Sequence, residues 1–433
     1  MSADQPKSPR FLGRLVLVEA GEGVALLWSM AYFFLLLFGL YLLRPVREAI
    51  GIARGADKLP WLMTGTLLAM VLVNPAFAAL VSKLPRRRFI PWVYRFFALT
   101  MLAFFLAFHF LPHRSPALGY AFYIWLSVFN LFVVSVFWGL MSDVWSEDQG
   151  KRLFGCIATG GTLGAIAGAA LTGAITKGFA IGGLVVKVDP LSLLLLSMLT
   201  LELAVQCVNR LASIFHLGDV AHGAREPGPG PLEGLRLIVT SRYLQLICAY
   251  MLLFTITSTF LYLQQGSIVE QAFSGTAART AAFARIDFWV NVLTLTTQVL
   301  LTGRIVTALG IPFVLAILPV LTLAGFGALW IWPTFGVMAL FQVLRRGLHY
   351  AVDRPARELL YIPLGPEERY KSKPFIDTFV YRGGDLLGVW APTALAALAI
   401  PVGLAAVGCS GLWIGSSLVL GSHVKAKATA DPG

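Results

Sequence analysis

Apolar residues run through this chain in long blocks separated by short polar connections. A helix of about 20 apolar residues crosses the roughly 30 Å hydrocarbon layer of a bilayer. Blocks of that length fall at 24–47, 60–82, 89–111, 117–143, 153–176, 188–209, 243–266, 283–307, 311–331, 334–354, 378–398 and 401–421, twelve predicted membrane helices. The first block is too long for a signal h-region and has no cleavage site after it, so it reads as a retained helix.

Composition agrees with the pattern. Of 433 residues, 57% are hydrophobic and only 13% charged, with a mean hydropathy of +0.76. Soluble domains carry about 25% charged residues, so a soluble enzyme is excluded. The 34 Lys+Arg against 22 Asp+Glu give a formal charge of +12. Basic residues concentrate in alternate connections: Lys7, Arg10 and Arg14; Lys83 and Arg86–Arg88; Lys151 and Arg152; Arg210, Arg225, Arg236 and Arg242; Arg369, Lys371 and Lys373; Lys425 and Lys427. That asymmetry puts both termini in the cytoplasm of a cell that holds the chain in its inner, cytoplasmic membrane. The dispersed charge fits contact with membrane lipid, or a pathway for anions, and carries no nucleic-acid-binding motif. Cys156, Cys207, Cys248 and Cys409 lie in apolar stretches without paired spacing and read as packing residues.

The one long polar connection, 210–242, is dense in Pro and Gly and divides the spans six and six. Domains are therefore expected at 1–209 and 243–433, with 210–242 a cytoplasmic linker. Two six-helix halves related by a pseudo-two-fold make an all-α membrane protein on the major-facilitator plan. Internal repeats support it. Arg44-Pro45-Val46-Arg47-Glu48 closes the first span and Arg354-Pro355-Ala356-Arg357-Glu358 closes the tenth. Glu147, Asp148, Lys151, Arg152 and Phe154, then Gly160, Gly161 and Gly164, follow the fourth span. Glu367, Glu368, Lys371, Lys373 and Phe375, then Gly383, Gly384 and Gly388, follow the tenth. Both matches fit halves that are themselves pairs of inverted three-helix units.

Charges in or beside membrane helices are expensive and mark function. Arg44, Arg47, Arg345, Arg346, His349, Asp353, Arg354 and Arg357 are such charges. At i,i+3 spacing, Arg44 shares a helix face with Arg47, and Arg354 with Arg357, while Pro45 and Pro355 break the adjacent hydrogen-bond ladder. The arginines either snorkel to headgroups or pair with Glu48, Glu358 and Asp353. Alternatively they form guanidinium clamps, one per half, for a phosphate or carboxylate. Candidate substrate-binding residues are Arg47, Arg357, Arg44, Arg354, Glu48, Glu358, Asn130 and Arg346. Ser127, Ser135, Thr255, Thr257, Ser258, Thr259, Asn291, Thr294 and Gln298 read as helix–helix hydrogen-bonding groups. Asp287 reads as an interfacial partner of Arg285, and Gly160-xxx-Gly164-xxx-Gly168 as a packing stripe.

Mixed charges at the cytoplasmic mouths of spans four and ten form candidate gates: Asp143, Lys151, Arg152, Glu367, Lys371, Asp377, Arg382 and Asp385. They read equally as ordinary solvated loops. Catalytic motifs are absent from the sequence and the six histidines are scattered, so neither an enzyme, a metal centre nor a cofactor is expected.

Five segments carry a family resemblance: Leu43–Glu48, Ser135–Asp143, Gly150–Gly155 with Gly160-Gly161, Arg354–Leu364 and Tyr370–Asp385. Here the chain resembles the nucleotide exchange carriers, the plastid and rickettsial-type ATP/ADP translocases, through a diverged bacterial branch. The resemblance implies phosphate contacts at Arg47 and Arg357. It also implies carboxylates near Ser127 and near Thr259, where this chain has none. The function expected is alternating-access secondary transport of an anionic, phosphorylated or nucleotide-like small molecule. Two other readings are a proton-coupled facilitator for a neutral or amphiphilic solute and a non-transporting membrane sensor or assembly protein.

Overall fold

The computed structural model describes residues 18–19, 21–83, 86–111, 115–177, 179–181, 184–186, 189–215, 231–361 and 363–430. The basic residues Lys7, Arg10 and Arg14 and the Pro/Gly-rich part of the linker lie outside them, as do the side chains of Lys151 and Glu367.

The described residues are all-α apart from one short antiparallel pair, β1 (Phe179–Ile181) with β2 (Leu184–Val186). The long apolar blocks become α1 (Glu22–Gly51), α2 (Leu59–Lys83), α3 (Arg86–Phe110), α4 (Pro116–Val144), α5 (Glu147–Lys177) and α6 (Leu193–Ile214). After the linker come α7 (Pro231–Thr240), α8 (Arg242–Ala272), α9 (Thr276–Leu300), α10 (Thr302–Ile331), α11 (Phe335–Leu348) and α12 (Arg354–Leu359). Last are α13 (Pro366–Phe375), α14 (Tyr381–Ala397) and α15 (Val402–Ala430). Single π-helical turns, His349–Asp353 and Ile376–Val380, join α11 to α12 and α13 to α14. Counting each joined pair once and setting α7 aside, the described residues form twelve long helices.

Nine of the described helices are long and apolar enough to cross a membrane. The other three, α9, α11–α12 and α13–α14, hold Asp287, Arg345, Arg346, Asp353, Asp377, Arg382 and Asp385. Two of these polar groups, Arg345 and Asp353, belong to the site below. Large apolar side chains such as Leu72 (76% exposed), Trp92 (78%) and Phe110 (74%) cover the outside of the helices, as a lipid-solvated surface requires.

Three expectations change in detail. Ten residues of the expected linker, Pro231–Thr240, fold into α7, which packs on α13. The eighth span begins at Thr276 rather than 283, directly after Gly275 turns the chain at φ +81°. Glu147–Lys151 and Glu367–Lys371 are not loops but the first turns of α5 and α13; Pro366 at the start of α13 fits a first helical turn, where a missing N–H costs nothing.

Packing divides the chain into two units, Met1–Arg47 with Leu72–Gly223, and Glu48–Val71 with Ala224–Gly433. In the first, α5 lies against α1 along the glycine stripe. A Cβ at Gly160 would stand 2.6 Å from the Met30 carbonyl oxygen, and one at Gly168 2.5 Å from that of Phe38. Tyr32, Leu36, Phe129 and Phe137 fill its core, with Phe33 stacked on Phe137 at 4.1 Å. The second unit repeats the device. A Cβ at Gly388 would stand 2.9 Å from Thr259 Cβ, and Gly384 abuts Thr255, so α14 lies as closely on α8. The Gly-xxx-Gly spacings 160/164 and 384/388 within the two sequence matches are thus the same packing solution used in each unit.

The stretch after Arg47 belongs to the second unit. The Tyr262 hydroxyl donates to buried Glu48 at 2.5 Å, the Ala56 N–H donates to Glu270 at 2.7 Å, and Arg279 donates to the Ile52 carbonyl at 3.0 Å.

Candidate functional site

In the first unit, one guanidinium reaches from α1 to α4. Arg47 Nη1 donates to Ser127 Oγ at 2.9 Å, and its Cζ lies 4.8 Å from the centre of the Tyr123 ring. Ser127 in turn donates to the Tyr123 carbonyl at 3.0 Å. Residues 123 and 127 are one helical turn apart, so a ring and a hydroxyl face the arginine together. Asn130 follows on the same helix and is exposed. Arg44 donates to the hydroxyl of Tyr41 at 3.2 Å on its own helix.

The second unit holds a denser arrangement. Arg345, His349, Asp353 and Arg357 recur every four residues along α11, the π turn and α12. On an undistorted α-helix, three such steps drift by about 120°. The wider π turn absorbs part of that drift. It also accounts for two backbone acceptors. Pro355 has no N–H to give the Ala351 carbonyl, and the Arg354 N–H bonds to the His349 carbonyl. The Thr302 hydroxyl takes Ala351 O at 2.8 Å, and the Gln298 amide takes Tyr350 O at 3.2 Å.

Asp353, 1% exposed, is the hub. It accepts from the Tyr250 hydroxyl, pairs with His349 Nδ1 at 2.9 Å and lies 3.3 Å from Arg357 Nε. Arg357 Nη1 also touches Met251 Sδ at 2.7 Å. Arg345, buried beside them, donates to Thr322 Oγ1 at 3.2 Å, Ser258 Oγ at 3.0 Å, and the Phe254 carbonyl and Thr257 hydroxyl at 3.2 Å each. The Phe254 ring centres the cluster: Arg345 Cζ is 5.3 Å away, Arg357 Cζ 5.2 Å, and the His349 ring stacks at 4.5 Å. Cations over an aromatic face are stabilised by its quadrupole, more so when desolvated.

The remaining predicted residues separate from these clusters. Arg354 is exposed and does not join Arg357. Glu358, also exposed, pairs with Lys373 at 2.5 Å, and buried Glu48 serves Tyr262. Arg346 pairs with Asp287 at 2.8 Å, which corrects the sequence-based pairing of Asp287 with Arg285; Arg285 instead lies 5.9 Å from the Phe335 ring. The helix register puts Asp287 toward α11, a choice that adjacency along the chain cannot reveal.

Among the gating candidates, Arg152 pairs with Glu22 at 3.0 Å and Glu19 at 3.1 Å, tying the start of α5 to the start of α1. Arg382 pairs with Asp385 at 3.4 Å on α14. Asp377 is exposed on the second π turn, while Asp143 and Lys371 are half-buried. Tyr123, Tyr250, Phe254 and Arg345 escaped the list of site residues. The four-residue spacings 123/127, 250/254/258 and 345/349/353/357 were the available signal. Among the described residues, no group of three or more His, Cys, Asp or Glu could hold a metal ion.

Solved structures resemble this arrangement at low identity. A bacterial homologue of the human lysosomal transporter Spinster, inward-facing and unoccupied, matches with a TM-score of 0.58 at 13% identity, over 95% of this chain and 96% of that one. The nucleoside transporter NupG gives 0.56 at 13%, over 93% and 98%. An autoinhibited peptide transporter of the POT family gives 0.59 at 12%, over 93% and 97%. The fold is that of the major-facilitator-type transporters. No protein-family model matches the sequence, and neither does any curated protein.

Proposed function

We propose that this chain is a secondary transporter of the cytoplasmic membrane, with both termini in the cytoplasm. It carries an anionic, phosphorylated or nucleotide-like small molecule by alternating access, as the resemblance to nucleotide exchange carriers suggests. One observation carries the reading: each unit sets an arginine, Arg47 or Arg357, against hydroxyl, aromatic or sulfur groups of a facing helix. A charge held at that cost inside a membrane protein is a functional group by default, and a guanidinium is matched to phosphate oxygens. In the same proposal, Arg152 with Glu22 and Lys373 with Glu358 are contacts that rearrange during gating.

Uptake into proteoliposomes tests this. Labelled ATP, ADP and inorganic phosphate should accumulate or exchange, and Arg47→Ala or Arg357→Ala should abolish that flux with the protein still folded. Undiminished transport in the double variant sinks the anion reading.

The pairing of Arg357 with Asp353 favours a second reading, a proton-coupled facilitator for a neutral or amphiphilic solute. Its signature would be flux driven by a pH gradient and indifferent to all three phosphates.

A further inference from the structure

We infer that the His349–Asp353 pair is a proton-binding site that couples proton uptake to anion binding at Arg357. The inference rests on the anion reading above and adds to it the coupling ion and the group that carries it. Asp353 and an incoming phosphate compete for the same guanidinium. With Asp353 ionised, Arg357 Nε has a carboxylate 3.3 Å away. When one proton adds to the pair, the carboxylate charge disappears and the Arg357 charge becomes available to substrate. The proton comes from water and returns to it on the release side, so each anion bound at Arg357 takes up one proton. The proton taken up offsets one unit of the negative charge that the anion brings.

The surroundings suit a proton better than a metal cation. Arg345 and Arg357 flank the site on one helix, and two fixed positive charges repel a metal. The ionisable groups nearest the π turn come from several elements. From α8, Tyr250 donates to Asp353. From the second π turn and α14, Asp377 and Tyr381 face Arg357. From α9, Asp287 is paired with Arg346, Arg279 bonds backbone carbonyls, and Arg285 lies over Phe335. From α10, Arg304 is exposed; from α12, Arg354 and Glu358 are exposed. The pair is treated as one titrating unit, because such groups share a macroscopic protonation step.

Infrared difference spectroscopy on the purified full chain tests it, with ATP and inorganic phosphate as probes. Adding either probe at constant pH should raise a protonated-carboxyl carbonyl band that is missing in Asp353→Asn, with about one proton taken up per anion. Affinity should fall about tenfold per pH unit once the pair is ionised, and Asp353→Asn should bind independently of pH. Should Asp353→Asn not fold, Tyr250→Phe keeps the carboxyl and must shift the same band. Anion binding by calorimetry with no proton uptake and no such band overturns the coupling and leaves the anion reading standing. A band that answers pH steps but neither probe supports the proton site and removes the anion reading. Absence of the band under both stimuli overturns the inference.

Discussion

The resemblance to nucleotide exchange carriers implies a carboxylate near Ser127; here the Ser127 hydroxyl accepts from Arg47 at 2.9 Å. A hydroxyl orients the guanidinium without cancelling its charge. Ser127→Asp would place a carboxylate within ion-pair reach of Arg47, and should weaken binding of an anionic probe such as ATP by tenfold or more, read by calorimetry on the purified protein. Ser127→Ala removes one hydrogen bond to a charged group, a loss of about 1.5–3 kcal/mol at most, and should leave transport reduced but measurable. Arg47→Lys keeps the charge and loses the planar fork, so it should raise KM more than it lowers kcat. The arginines were legible in the sequence because charges stand out from an apolar background. Their partners were not, since Tyr123 and Ser127 lie 76 and 80 positions beyond Arg47 and look like ordinary helix residues. Arg345, marked as a costly charge yet left off the list of site residues, shows the same limit: the four groups that accept from it belong to Thr322, Ser258, Phe254 and Thr257, residues ordinary in a membrane helix.

At the scale of helices, small residues set how close two backbones come. A methyl at Gly164 would run into the Phe34 carbonyl, whereas one at Gly155 on the same helix meets nothing within 4 Å. Gly164→Ala should therefore destabilise the α1–α5 contact by about 1–3 kcal/mol, the usual cost of overpacking. Thermal unfolding in detergent should show a lowered melting temperature for Gly164→Ala and none for Gly155→Ala. Helix positions were readable because block length and hydropathy are local. The π turns were only half readable. Pro355 marks a break, but whether the chain kinks, ends or widens depends on which groups donate to the freed carbonyls, and Thr302 and Gln298 come from other helices. Pro355→Ala restores an N–H that competes with Thr302 for Ala351 O. Amide exchange across residues 345–357 should slow, and transport should fall, because a regular helix turns Arg345 away from Asp353 and Arg357.

For the molecule as a whole, what matters is how the two arginines are used. Arg47 lies about 38 Å from the start of α1, and Arg357 about 33 Å from the start of α11, at 1.5 Å per residue. Each arginine is thus near the far end of its own helix. The proposed anion carrier has two ways to use them: a single clamp, or two stations in turn, one for each side of the membrane. Alternating access needs only that each station be reachable when its own side is open. The distinction is measurable because kinetics from the two sides separate. In right-side-out vesicles, Arg47→Lys should raise the apparent KM for ATP or phosphate supplied outside and leave the KM for internal substrate in efflux near wild type. Arg357→Lys should do the reverse. A simultaneous clamp would raise both values in both variants, and that outcome would return the two guanidiniums to a common site.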